Sequence, residues 1–476
     1  MLIITKYNKK GFFLYFSFIA IFLSSLLLHL PSLKFYFFQD DWFILNWVKT
    51  ESILSFISLR NDIIYWRPLS MPIYFAVLNK LFGLNYVAFH IFAFFIFLLL
   101  LVLIYKLMKF LFDDLRISLI LTFLYSVWPI NYISLSWLAA TQYIIAPIFM
   151  TASFLSFVKY ARLKKTLYLT LCHAAFLASL MSHETALVLP LLYIVWTAIY
   201  LRKIPIAIVS PMLAISAIFM FIRFFVIPLP ATGAYTIQIN KAVFLNFIWY
   251  WLWSFNFPES FKSLVDPGIM GQSILVLKQF WWISLSCFAL IILFILMLRQ
   301  GFKSDFKNYL FGFSWFTIML LPVMFVPSHT FPMYLSFAGL GLLYMIGTSI
   351  KRVAHVLTLV FIIFWTISAI ANFQFTRATH WVENEQSISR NYMEFTKSTI
   401  KNPPTNSIFV FLPTYKNLQR NSDLELAKDL DTLKLSLSDQ NAVQVIYQDT
   451  TLKSLYQRDE FSPKETTSKV YYISPK

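Results

Sequence analysis

"GFFLYFSFIAIFLSSLLLHLP", residues 11–31, contains no Asp, Glu, Lys or Arg, and three lysines, Lys6, Lys9 and Lys10, stand just before it. A helix rises 1.5 Å per residue, so about 20 such residues cross the ~30 Å hydrocarbon layer of a bilayer. The run outlasts the apolar core of a signal peptide, and "LLLHLPSLKF" (26–35) offers no small-x-small cleavage site, so a retained anchor is expected. Comparable runs recur near 85–105, 117–128, 141–158, 167–181, 185–201, 204–227, 280–298, 309–327, 333–350 and 353–372. The shorter ones are expected to extend into their flanks. With 59% of 476 residues hydrophobic and 13% charged, a soluble globule could not bury the apolar surface. The fold class expected is an α-helical polytopic membrane protein of about 11 transmembrane helices.

The formal charge of +17 raises the question of nucleic acid. Residues 373–476 hold 13 Lys/Arg and 12 Asp/Glu, which leaves 26 basic and 10 acidic residues for the rest. Seventeen of those 26 fall in alternate connections: the N-terminus, "KLMKFLFDDLR" (106–116), "KYARLKK" (159–165), Arg202-Lys203, "RQGFKSDFK" (299–307) and Lys351-Arg352. This is the cytoplasmic bias of membrane proteins, and it explains the charge with no nucleic acid as partner. The N-terminus is then cytoplasmic and the C-terminus outside. The parity requires that "FLNFIWYWLWSFNF" (244–257) not cross; its length and Trp density suit a helix lying at the interface. Cys172 and Cys287 lie inside apolar runs, so no disulfide is expected.

After residue 372 the pattern changes. "SIFVFLP" (407–413), "AVQVIYQD" (442–449) and "KVYYIS" (469–474) read as strands, with a helix at "LELAKDLDTLKLSL" (424–437). The expected organisation is a membrane core at 1–372, with a first outer loop at 32–84, followed by a small α/β appendage at 373–476. No glycine-rich phosphate loop is present, so nucleotide-driven chemistry has no support.

The polar residues that remain cluster on the outer side. Asp40 and Asp41 follow the first span. "YWRPL" (65–69) sets Tyr65, Trp66 and Arg67 before an interfacial-looking segment. An arginine fork suits phosphate, and a carboxylate suits removal of a hydroxyl proton. His183 and Glu184 occupy a turn between two spans, where a buried charge is costly unless it faces a polar cavity; a plain turn with Glu184 capping the next helix is the alternative. Arg223 ends its span in "FIRFFVIPLP" (221–230), where it either snorkels or meets a phosphate. His329 lies in "VPSHTFPMYLSFAGL" (326–340), and such a lone histidine is more often structural than catalytic. No metal-ligand spacing of the HExxH kind is present, which leaves a divalent metal unsupported.

An acidic pair after the first span followed by "YWRPLSMPIYFAVLNKLFGLNYVAFHIF" (65–92) resembles the GT-C superfamily of integral-membrane glycosyltransferases. Within it, the similarity is to the branch of the protein O-mannosyltransferases and the tetratricopeptide-bearing transmembrane O-mannosyltransferases. His90 matches the histidine that opens the family's second span. "LYSVWPINYISLSWL" (124–138), "SLMSHETALVLP" (179–190), "LLPVMFVPSHTFPMYLSFAGLGLL" (320–343) and "RATHWVENEQS" (377–387) have counterparts in the same order. Trp128 stands where the family has His before Pro, His183 where it has Lys, and Ile133 and Thr141 where it often has an acid and an Arg. No tetratricopeptide array follows the core.

The resemblance implies a polyprenyl-phosphate-linked sugar as donor, taken from the lipid, and a hydroxyl-bearing acceptor. Asp40 or Asp41 would be the catalytic base, and Arg67 would belong to the donor-phosphate region with Tyr65, Trp66 and Arg223. The reaction expected is inverting transfer on the outer face of the cell membrane. Rival readings are a transporter or flippase of lipid-linked sugars, an O-antigen ligase or polymerase, and an inactive glycolipid-binding relative. The transporter would place charges at mid-membrane, whereas here they gather at one face. The ligase class carries its key residues in a late outer loop.

Overall fold

The computed structural model describes residues 2–60, 63, 65–202, 206–227, 233–264, 280–413, 423–457 and 468–475, with side chains from residue 11 onward except 263–264 and 423–428. The start of the segment expected at 204–227 and the end of "FIRFFVIPLP" lie outside the described residues.

All eleven apolar runs are helical. They appear as α1 (Leu2–His29), α4 (Tyr86–Phe112), α5 (Leu115–Ser126), α6 (Gln142–Leu163), α7 (Thr166–Leu180), α8 (Leu189–Tyr200), α9 (Ile206–Phe225), α11 (Trp281–Gly301), α12 (Phe306–Met324), α13 (Leu335–Ile350) and α14 (His355–Thr379). Between them lie α2 (Asp40–Thr50) and α3 (Tyr74–Phe82) in the first loop, and α10 (Lys241–Ser254). Seven of the long helices are long and apolar enough to cross a membrane by themselves, counting short 3-10 turns that extend α6 and α13. The chain is polytopic. α10 is too short to cross, with 14 residues, and its Asn246, Tyr250 and Trp253 are buried.

Burial separates the helices by position. α13 is buried along its whole length and forms the centre. α4, α11 and α14 instead present Phe95, Leu99, Ile292, Leu296, Val356 and Ile363 outward, as lipid-facing helices do. α12 and α13 approach closely because glycines face each other: a Cβ on Gly341 would lie 2.5 Å from the carbonyl oxygen of Gly312. Beside them, Trp128 packs over Gly339 and 5.2 Å edge-on to Trp365.

That tryptophan also marks a break. Pro129 has no N–H to give a helix, and it biases its predecessor towards extended backbone. Trp128 accordingly takes φ −75°, ψ 125°, and the chain bends by 49° between α5 and the following Pro129–Ser136 segment. The run expected at 117–128 is therefore not one straight span. The bend carries Tyr132 and Trp137 towards the end of the bundle where the first loop lies.

The lysine- and arginine-rich connections meet at the opposite end. Arg352 donates to Asp305 at 2.5 Å, Arg116 contacts His355 at 2.9 Å, and Lys351 donates to the carbonyl of Phe112 at 3.4 Å.

Beyond α14 come α15 (Trp381–Thr399), α16 (Asp423–Ser436), α17 (Asn441–Tyr447) and three parallel strands, β1 (Ile408–Phe411), β2 (Lys453–Tyr456) and β3 (Val470–Ile473), in the order β2-β1-β3. The strands expected at 407–413 and 469–474 are present. "AVQVIYQD" is a correction: it forms α17, with Ala442, Val443, Gln444 and Val445 buried together. Its valines favour strands, but packing on α2 overrides that preference. Asn46 reaches Asn441 at 2.7 Å and Gln444 at 2.8 Å. The third strand is formed instead by Lys453–Tyr456.

The appendage shares its core with the first loop. Phe37, Trp42 and Leu45 pack in one cluster with Met393, Phe409 and Val443. Trp42 donates to Ser389 at 2.9 Å, and Ser389 donates to the carbonyl of Phe37 at 2.7 Å. α15 and the sheet thus brace the segment that carries the two aspartates.

Candidate functional site

The site is built where the first loop turns back into α2. Gln39 immediately precedes the helix at φ 49°, ψ −125°, backbone that L side chains rarely adopt. Its backbone N–H donates to Ser436 at 3.0 Å, and its side-chain amide donates to Glu385 of α15. The conformation is held from the appendage side.

Successive residues at a helix start point in different directions, and the two aspartates separate accordingly. Asp41 is 1% exposed. One of its carboxylate oxygens accepts from the backbone N–H of Ala139 at 2.7 Å, the other from Phe38 at 3.3 Å. Burial raises its pKa well above the ordinary carboxylate value, against those two bonds. Asp40 is half-buried, and its carboxylate has no hydrogen bond from the described residues. Burial raises its pKa too, while Arg67 pulls the other way.

Arg67 is 7% exposed and engaged on three sides. Its Nε donates to Glu184 at 2.7 Å and its Nη2 to the other oxygen of the same carboxylate. Its Nη1 donates to Gln142 at 2.8 Å, and the guanidinium lies 4.5 Å from the centre of the Tyr65 ring. The fork expected to grip a phosphate is matched instead to an internal carboxylate.

Arg223 differs. It stands in the last turn of α9 with no hydrogen-bond or ion-pair partner among the described residues, and its Nη1 is buried. It lines a cavity of about 450 Å3 whose walls are mainly apolar, including Leu187, Val188, Phe224, Val323 and Val326. The polar lining groups are Glu184, Arg223, Tyr235, His329 and Tyr334. Tyr235 stacks on His329 with ring centres 4.2 Å apart. Burial and the positive Arg67 lower the pKa of His329 to about 4, so it is neutral at ordinary pH.

His329 also lines a second cavity, of about 690 Å3, with Gln39, Trp137, Glu259, His380, Trp381 and Glu385. Here Glu385 has a pKa raised to about 7, first by burial and further by Asp40, against the Gln39 hydrogen bond and His380. Asp40 also raises the pKa of Tyr65 and Tyr235, so its charge is felt on the sides of both cavities.

The remaining sequence candidates have structural positions. His90 is buried, with Nδ1 3.1 Å from the Leu135 carbonyl. His183 is buried and packs against Tyr143 with ring centres 4.6 Å apart and planes tilted by 49°, and it, rather than Glu184, caps the next helical turn by accepting from the N–H of Thr185 at 3.2 Å. Trp66 donates to the carbonyl of Ile57 at 2.8 Å. Gln142, Tyr235 and Glu259 carried no sequence signal. Trp137, His380, Trp381 and Glu385 lay in segments quoted for their family resemblance, but nothing there singled out the individual residues. Among the described residues, no group of three or more His, Cys, Asp or Glu side chains comes together as a metal site.

No family model matches the chain, and no curated protein matches it. Among solved structures, it is similar to ArnT from Cupriavidus metallidurans bound to undecaprenyl phosphate, at 13% identity and a TM-score of 0.46, over 78% of this chain and 70% of that one. It is also similar to the Archaeoglobus fulgidus oligosaccharyltransferase in complex with zinc and sulfate, at 13% identity and a TM-score of 0.47, over 94% of this chain and 62% of that one. Both scores lie below 0.5.

Proposed function

We propose that the chain is a GT-C-type membrane glycosyltransferase that moves a sugar from a polyprenyl-phosphate donor to a hydroxyl acceptor on the outer face of the membrane. The observation that carries this is the pairing state of the charges. Arg67 is neutralised by Glu184, whereas among the described residues Arg223 on the wall of an apolar cavity has no partner and Asp40 accepts no hydrogen bond. An unpaired guanidinium in an apolar hollow calls for an anion attached to something apolar, and a polyprenyl phosphate is both. Arg67, with its fork occupied by Glu184, holds the loop in place rather than serving as the primary phosphate ligand.

In the reaction, Asp40 takes the proton from the acceptor hydroxyl. The acceptor oxygen bonds to the anomeric carbon as the bond from that carbon to the phosphate oxygen breaks. The polyprenyl phosphate leaves with the electron pair, its charge met by Arg223, and the configuration inverts. Asp41 has both oxygens held by backbone N–H groups and positions the loop. The gathering of basic connections at the opposite end supports the cytoplasmic orientation of that end.

The test is purified protein in lipid given a panel of polyprenyl-phosphate sugars with hydroxyl acceptors, following release of polyprenyl phosphate. Turnover that Asp40→Asn abolishes while donor binding persists is the expected result. A panel on which nothing binds or turns over removes the reading.

A further inference from the structure

We infer that the cavity lined by Trp137 and Trp381 is the acceptor site, and that the acceptor it takes is an uncharged carbohydrate. The inference rests on the transferase reading for the word acceptor, while the carbohydrate preference stands on the cavity itself.

Its volume of about 690 Å3 is in the range of ordinary small-ligand sites. Trp137 and Trp381 meet edge to face, with centres 5.5 Å apart and planes at 84°, and both remain partly exposed to the cavity. His380 lies against Trp381 at 5.3 Å, and Phe331 extends the wall. The indole N–H of Trp137 is buried and has no partner among the described residues. A sugar ring has the matching character: apolar C–H faces that lie on indole rings, and a rim of hydroxyls that both donate and accept.

The polar groups suit that rim. The Gln39 amide N–H donates to one oxygen of Glu385, and Trp381 Nε1 donates to Glu259 at 3.5 Å, which leaves the Gln39 side-chain carbonyl and the second Glu385 oxygen without a partner among the described residues. His380 Nε2 stands 3.2 Å from Glu259. Among the described residues the lining holds two acids against one lysine, Lys262, which already donates to the Pro327 carbonyl at 3.1 Å, and this balance disfavours a phosphorylated or otherwise anionic acceptor. A peptide acceptor would need partners for its backbone, and no edge strand of the appendage sheet lines this cavity.

Placement completes the argument. Gln39 lines the cavity and the next residue is Asp40, whose charge reaches Glu385 on this side and Tyr235 on the other. His329 lines both hollows. A hydroxyl entering over the tryptophans would come up to the Gln39–Asp40 segment, beside the wall at His329 that the two cavities share.

The experiment is binding of uncharged monosaccharides, disaccharides and their methyl glycosides to the full chain in lipid nanodiscs, with a Ser/Thr peptide and a polyprenyl phosphate titrated in parallel. At least one sugar is expected to bind saturably, to weaken about tenfold or more in Trp381→Ala, and to weaken less in Trp381→Phe. Glu385→Gln, a milder change, gives a second variant should Trp381→Ala fail to fold, and it is expected to shift the preference among sugars. Polyprenyl phosphate binding is expected to be unchanged in all three. No sugar binding while polyprenyl phosphate binds, sugar binding indifferent to Trp381, or peptide binding in its place would overturn the inference and leave the transferase. Sugar binding that depends on Trp381 without any polyprenyl phosphate binding would keep the carbohydrate site and remove the transferase reading.

Discussion

Arg67 and Glu184, 117 positions apart in the chain, form a two-pronged ion pair that closes the first loop onto the turn between α7 and α8. Arg67 is nearly buried, with a side chain 5% exposed, whereas the Glu184 side chain is 30% exposed and lines the apolar cavity of about 450 Å3. Removing one member of a fully buried pair costs roughly 3–5 kcal/mol, because the other charge is stranded. Glu184→Gln should cost less, about 1–3 kcal/mol, since solvent reaches the glutamate side. Arg67→Lys should also destabilise, because an ammonium cannot reproduce the fork or the contact with Tyr65. Thermal unfolding in detergent measures both, and an unchanged midpoint for both variants would contradict the role assigned to the pair.

The two aspartates should separate cleanly. Asp40→Asn is expected to lower turnover by roughly 10²–10⁴-fold while the protein folds and binds donor normally. Asp41→Asn offers one acceptor oxygen where two backbone N–H groups need one each, so about 1–3 kcal/mol of stability should be lost. Parallel turnover and unfolding measurements on the two variants check this; the reverse pattern would exchange their roles.

Arg223 has no hydrogen-bond or ion-pair partner among the described residues. Arg223→Ala should therefore leave the unfolding midpoint nearly unchanged and weaken binding of polyprenyl phosphate about tenfold or more, with Arg223→Lys between them. Titration of polyprenyl phosphate into the variants decides it. Equal affinity in all three would move the phosphate elsewhere.

Glu385 gives a pH signature. Its folded pKa of about 7 lies above the ordinary value of 4.5, so between these limits the folded chain keeps a proton that the unfolded chain releases. Stability contributed by the neutral carboxyl is full below about pH 4.5 and declines as pH rises through about 7. Glu385→Gln should flatten that part of the profile of unfolding midpoint against pH. Asp40 and Asp41, also raised, contribute in the same direction and remain in the variant, so the change expected is a smaller slope rather than none.

The acid limb of activity should follow Asp40. A base works only when ionised, and burial raises this carboxyl above its usual pKa of 3.8, so the rate is expected to fall on acidification before an ordinary aspartate would protonate. Rate measured against pH reports it, and the limb should be absent from any residual activity of Asp40→Asn.

The chain by itself determined the helical membrane core, because runs such as 11–31 and 86–112 cannot be dissolved in any other way, and their length matches the bilayer. It also determined which end of the bundle collects lysine and arginine, since that bias is written in the connections. It pointed to Asp40, Asp41, Arg67, Glu184, Arg223 and His329 as a set, because charge in so apolar a chain is conspicuous. It did not determine what each does. Asp40 and Asp41 are neighbours of one chemical type, and only the turn at Gln39 and the amides of Phe38 and Ala139 tell them apart. Arg67 and Arg223 both look like phosphate ligands until Glu184 is found across 117 residues. "AVQVIYQD" carries valines that prefer strands, yet its side chains have a better site against α2. In each case the deciding partner is distant in sequence, and local preferences of a few tenths to about 1 kcal/mol yield to the packing and pairing that tertiary structure supplies.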